Sequence, residues 1–134
     1  MIIVEDIILK KILKHKDTPI LNYNIKYPKF TVKTNPKTEK MLNKFYFGII
    51  KYYISFLEKT VYKKALDKYL KSNEENKFRP FNAIVNYNIT YPKENFISIY
   101  TEFTLYTGVG NGIAVKKSQT WDFEKLRLAF LRVQ

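Results

Sequence analysis

The chain contains no cysteine, one histidine, one tryptophan, four glycines and three arginines among its 134 residues. Without cysteine there is no disulfide framework, no thiolate metal site and no cysteine nucleophile. The single histidine, His15, lies among Lys14, Lys16 and Asp17. It reads as a solvated turn residue, which removes histidine metal clusters. A Ser-His-acid site would have to use it, and no serine sits in a nucleophile-elbow motif. The adjacent acid pairs, Glu5–Asp6 and Glu74–Glu75, lie in polar surroundings that would not raise a carboxyl pKa for acid–base work. No cofactor is expected. Long hydrophobic runs are also lacking: the most apolar stretch, residues 45–57, spans 13 positions and includes Lys51, short of the ~20 needed for a membrane-spanning helix. Glu5 and Asp6 stand where a signal peptide needs positive charge, so no leader is read at the start.

What is present is a good supply of core. Hydrophobic residues make up 46% and aromatics 16%, enough for one domain that buries roughly two-thirds of its unfolded surface. Lysine dominates the charge, and the net is +12. Residues 7–71 hold 16 lysines against Asp17, Glu39, Glu58 and Asp67, so an anionic partner would meet the first half of the chain. Arginine, the side chain that reads nucleic acids bidentately, is confined to Arg79, Arg127 and Arg132. The lysine-rich composition also accompanies abundant Ile, Asn, Tyr and Phe, as A/T-rich codon usage would give. A basic nucleic-acid-binding domain is therefore kept as the alternative function.

Patterning predicts an α+β fold: an antiparallel meander sheet with one long, kinked helix packed on one face. A strand hairpin is expected over residues 2–30, with a turn at 16–19 and a second strand in which Leu21, Tyr23, Ile25 and Tyr27 alternate with polar residues until Pro28. Asn35 as N-cap and Pro36 at the first position open a helix over 35–71. Its apolar face, Leu42, Phe45, Ile49, Tyr52, Tyr53 and Phe56, shifts nearly half a turn between 58 and 61. That shift implies a kink, a break or a change of packing partner. A strand meander follows over 81–123, and residues 124–134 form a short tail. The expected core is Leu21, Tyr23, Ile25, Tyr27, Phe45, Ile49, Phe56, Val85, Tyr87, Ile89, Ile97, Ile99, Phe103 and Leu105.

Two motifs invite a functional reading. Residues 22–29 (NYNIKYPK) are echoed by 86–93 (NYNITYPK). They are either two strands ending in Tyr-Pro or two neighbouring strands presenting matching Tyr and Asn side chains to a ligand. The turn YTGVGNG at 106–112 is superficially similar to a phosphate loop, but it lacks the Lys-Ser/Thr ending and lies between strands. It reads as a bulged hairpin turn. Glycine lets a ligand approach backbone closely, and tyrosine or tryptophan offers an apolar face with a polar tip. A ligand-binding rim is therefore expected at Tyr100, Tyr106, Gly108, Gly110, Asn111, Gly112 and Trp121. Glu102 and Asp122 are the acids beside it on which an enzyme reading would have to rest.

In order, the strand ending Tyr27-Pro28, the Asn-initiated helix, the segment VNYNITYPKENFISIYTEFTLYTG and the strand VKKSQTWDFEK resemble one family. It is the extracytoplasmic domain of unknown function shared by the anti-sigma factor RsiV and the peptidoglycan deacetylase PdaC. The resemblance covers roughly residues 20–125. Tyr106, Thr107, Gly108 and Gly112 match the family's Tyr-[Ser/Thr]-Gly-Gly-Ala-His-Gly turn, and Asp122 matches its aspartate strand. Val109, Gly110 and Asn111 replace the Gly-Ala-His centre, so a role tied to that histidine is absent. The family continues past the aspartate strand into a Gly-Lys turn and a second half, and this chain resembles the first half. The resemblance implies a non-enzymatic binding or sensing domain of the cell envelope, with a cell-wall glycan or a wall-directed protein such as lysozyme as ligand.

Overall fold

In the computed structural model, residues 2–92, 94–108 and 110–123 are described, together with the backbone of 127–129. They form a two-layer α+β domain in which a six-stranded sheet, ordered β1 to β6 across its width, carries helix on one face. Strands β1 (Ile3–His15) and β2 (Thr18–Thr31) make the expected hairpin, turning through Lys16 and Asp17 at positive φ. Strands β3 (Phe81–Thr90), β4 (Phe96–Tyr106) and β5 (Ile113–Asp122) make the expected meander. A short β6 (Arg127–Ala129), which the sequence pattern does not mark, pairs with the end of β5. The remaining residues assigned to the tail lie outside the described residues.

One junction departs from a wholly antiparallel meander. β2 and β3 pair in parallel, Leu21 opposite Phe81 through Ile25 opposite Val85. The helix between them returns the chain along the sheet, and two strands joined by such a crossover run in the same direction. Beyond Ile25 and Val85 this pairing ceases, and the exposed edge of β2 is satisfied from the helix. The Asn43 amide accepts from Phe30 N–H at 2.7 Å and donates to Phe30 C=O at 2.9 Å, and Glu39 accepts from Val32 N–H at 2.9 Å. This arrangement also explains why β2 runs past Pro28 to Thr31 instead of stopping there. Pro28 has the strand parity of Phe30, so its missing N–H would point away from β1 toward a strand that has already diverged.

Helix α1 (Pro36–Phe56) starts where expected, with the Asn35 side chain accepting from Thr38 N–H. The expected discontinuity is a π-helical turn at Leu57–Val61, after which α2 (Tyr62–Leu70) continues. An extra residue in one turn rotates everything downstream, which keeps Leu57, Val61 and Ala65 over the sheet in line with Leu42, Tyr46 and Ile50. The buried stripe is therefore Leu42, Tyr46 and Ile50, rotated from the expected Phe45, Ile49, Tyr52 and Phe56. Phe45 and Ile49 are half-buried, and Tyr52 and Phe56 are exposed at 80% and 44%.

The core divides in two. One cluster joins Leu21, Ile25, Ile50, Val61, Ala83 and Val85; the other joins Phe30, Leu42, Tyr46, Ile97, Ile99 and Trp121. Of the remaining expected core positions, Tyr23 is buried, while Tyr27, Tyr87, Ile89, Phe103 and Leu105 are half-buried. Among the described residues no helix is long and apolar enough to cross a membrane.

Candidate functional site

Both described helices lie on one face of the sheet, and among the described residues none covers the other face. Strand alternation and register put Asn22 and Asn24 of β2 there, beside Asn82, Asn86 and Asn88 of β3 and Tyr100, Glu102 and Tyr106 of β4. The repeated motifs do lie on adjacent strands, but four residues out of step, because Asn22 pairs with Asn82 and not with Asn86. Their asparagines share the open face. Their tyrosines do not: Tyr23 is buried under the helix layer, and the Tyr87 hydroxyl donates to the Asp6 carboxylate.

A side-chain network occupies the middle of this face. Asn88 Nδ2 donates to the Tyr100 hydroxyl at 3.1 Å, Lys116 Nζ lies 5.6 Å from the centre of the Tyr100 ring, and Lys116 pairs with Glu102 at 3.4 Å. Register explains the grouping, since Asn88 lies opposite Tyr100, and Glu102 lies opposite both Asn86 and Lys116 on its two neighbours.

The expected rim is only partly assembled. Tyr106, 40% exposed, lays its ring over Gly112, where a Cβ would come within 2.8 Å of it. Gly108 and Gly110 have φ of +90° and +72°, as a hairpin turn built on glycine requires. A Cβ at Gly108 would meet the Arg79 carbonyl at 3.0 Å. Asn111 is exposed between Gly110 and Gly112, and Val109 lies outside the described residues. Tyr100 is on the same face but six residues along β4, about 20 Å from Tyr106. Trp121 does not belong to the rim. It points to the helix side, is 5% exposed, and donates through its ring nitrogen to the Tyr46 hydroxyl at 2.9 Å. Tyr46 in turn donates to Gln119 Oε1 at 3.0 Å, and burial holds its phenol well above the usual tyrosine range. Asp122 is buried at the end of β5.

On the helix side a second surface appears, and five of its residues, Phe45, Ile49, Phe56, Phe103 and Leu105, are among those the sequence pattern places in the core. α1 packs on β2 and on the far end of the β4–β5 hairpin at Ile97, Ile99 and Trp121, and toward the turn end of that hairpin a groove of about 840 Å³ runs between them. Phe45, Ile49, Tyr53 and Phe56 of α1 face Phe103, Leu105, Ile113 and Val115, with Lys117 and Gln119 toward one end. The sequence signal was the width of the apolar stripe on α1, which is too broad for one sheet contact. Among the described residues no group of histidines and carboxylates converges to hold a metal ion.

These features define an α+β domain in which one long helical layer backs a mostly antiparallel sheet, whose other face and one flanking groove stay open. The chain belongs to the deacetylase PdaC family, whose model matches residues 14–114. No curated protein matches it. Among solved structures it is similar to a DUF3298 family member from Bacteroides fragilis, with a TM-score of 0.69 and 14% identity over 96% of this chain. It is also similar to a DUF3298 family protein from Pseudomonas aeruginosa, with a TM-score of 0.54 and 12% identity over 96% of this chain. The chain spans 58% and 55% of those two proteins, and at such identities the likeness is one of fold.

Proposed function

We propose that this domain is a non-catalytic binding module working outside the cytoplasm, and that it holds a cell-wall glycan on its open sheet face. The observation that carries this reading is the Asn88–Tyr100–Lys116–Glu102 network on the face opposite the described helices. An aromatic ring beside an amide, an ammonium and a carboxylate supplies the apolar plane and the mixed donors and acceptors that sugar hydroxyls need. Asn111 and Tyr106 extend the same face at its turn end. Membership of the deacetylase PdaC family supports an envelope location, and the carboxylate at the network's centre, Glu102, is engaged by Lys116 as a structural partner.

The test is a titration with soluble peptidoglycan fragments, with lysozyme and with a short DNA duplex, each at two salt concentrations. Glycan binding should weaken at least tenfold, or about 1.4 kcal/mol, in Tyr100→Ala, with Asn111→Ala reporting whether the turn takes part. Saturable lysozyme binding without glycan binding would move the ligand to a wall-directed protein. DNA binding with a steep salt slope would replace this reading by a nucleic-acid one.

A further inference from the structure

We propose that the groove between α1 and the β4–β5 hairpin binds a monomeric single-chain anionic amphiphile, its acyl chain lying along Phe56, Val115 and Ile113 and its headgroup at Lys117. This site is separate from the glycan face and lies on the opposite side of the sheet.

Four observations carry it. The inward row of β5 is graded, with Ile113 and Val115 at one end and Lys117 and Gln119 at the other, so the groove is itself amphiphilic along its length. Ile113 and Val115 remain 72% and 50% exposed, whereas their partners across the ladder, Leu105 and Phe103, are half-buried. Lys117 is the only charged side chain among the described residues lining the groove and, unlike Lys116, makes no hydrogen bond or ion pair with the described residues. It is therefore a cation available to a carboxylate or phosphate. Finally, Gly48 lies in the helical wall of the groove with nothing within 4 Å of where its Cβ would stand. Glycine inside a helix costs about 0.5–1 kcal/mol relative to alanine. No packing in the chain demands it here, and its absent side chain leaves the wall open. The dimensions agree: about 840 Å³ lies within the range of small-molecule sites, roughly 300–1,000 Å³, and Phe45 to Phe56 spans about 17 Å of helix. A second copy is disfavoured as occupant by the net charge of +12 and by burial of Lys117 without an opposite charge.

Trp121, the only tryptophan, stacks edge-on against Phe45 with ring centres 5.1 Å apart, at the end of the groove where Gln119 lies, and serves as the reporter. The full chain is titrated with 2-bromododecanoate and 12-bromododecanoate below their micelle concentrations. Saturable quenching, stronger for the 2-bromo acid, is expected, because the headgroup end lies nearer Trp121. Gly48→Leu should weaken laurate binding at least tenfold without lowering the urea midpoint. Lys117→Glu should lose laurate and gain dodecyltrimethylammonium, which keeps the proposal open to refutation even if the Gly48 variant folds poorly. Absence of saturable quenching overturns the proposal, as does equal affinity of the native chain for laurate and dodecyltrimethylammonium. So does a dimer in sedimentation that Gly48→Leu dissociates, which would make a second copy the occupant.

Discussion

The Trp121 ring nitrogen and the Tyr46 hydroxyl, 75 residues apart in sequence, lie 2.9 Å apart in the second core cluster. That hydroxyl accepts from the indole and donates to Gln119, so one phenol ties α1 to β5 at two points. Tyr46→Phe should cost roughly 1–3 kcal/mol, since it strands a buried indole N–H, and urea unfolding followed by Trp121 fluorescence measures it. An unchanged midpoint would mean the indole finds another acceptor.

The same phenol makes stability sensitive to alkali. Burial raises the Tyr46 pKa in the folded state, and burial followed by the Asp6 hydrogen bond raises that of Tyr87. A pKa raised on folding gives stability that is complete below the unfolded value near 10 and is lost as pH climbs toward the folded value. Urea midpoints should be flat from pH 7 to 9 and fall above pH ~10. The fall should be shallower in Tyr46→Phe, measured relative to that variant's own midpoint at pH 8.

Asn43 stands in for a missing strand. Asn43→Ala leaves both backbone groups of the buried Phe30 without the partners they have here, at a cost of about 1–3 kcal/mol for each unsatisfied group. Amide exchange should locate the damage: protection at Phe30 should drop while that at Ile25, paired with β3, changes little. Uniform loss at both would place the defect in global stability.

Gly108→Ala should destabilise by about 1–2 kcal/mol, because it combines positive φ with a Cβ 3.0 Å from the Arg79 carbonyl. Gly110→Ala has the strained φ without the clash, and should cost less. Thermal unfolding of the two variants side by side checks the order.

Strand alternation was legible in β2, β3 and β4 because each buries one face, and period-two patterning reports that directly. The N-cap at Asn35 was legible for an equally local reason. The π-helical turn showed as a jump in the apolar stripe, although its form did not. What escaped was set by distant pairings. Whether β3 joins β2 in parallel depends on where a helix returns the chain, and no residue of β2 or β3 records that. Trp121 looked like a surface residue because β5 is polar around it, and its burial rests on α1, through the ring of Phe45 and the bond to Tyr46. Phe45, Ile49, Phe56, Phe103 and Leu105 of the groove read as core because an apolar side chain reads alike whether its own chain covers it or leaves it open. Tyr100 was found as a candidate, but its partners Asn88 and Lys116 come from two other strands and needed the register.

The parallel junction between β2 and β3 has a kinetic consequence. Every antiparallel pairing in the sheet joins strands adjacent in sequence and closes a short loop, whereas Leu21 and Phe81 lie 60 residues apart. Two locally assembled halves, a hairpin and a meander, must therefore meet along five residue pairs, and that single long closure bears most of the entropic barrier. Substitutions such as Val85→Ala should slow folding in proportion to the stability they remove. Those in the Lys16–Asp17 turn should act chiefly on unfolding, and chevron kinetics on the two sets separates the cases.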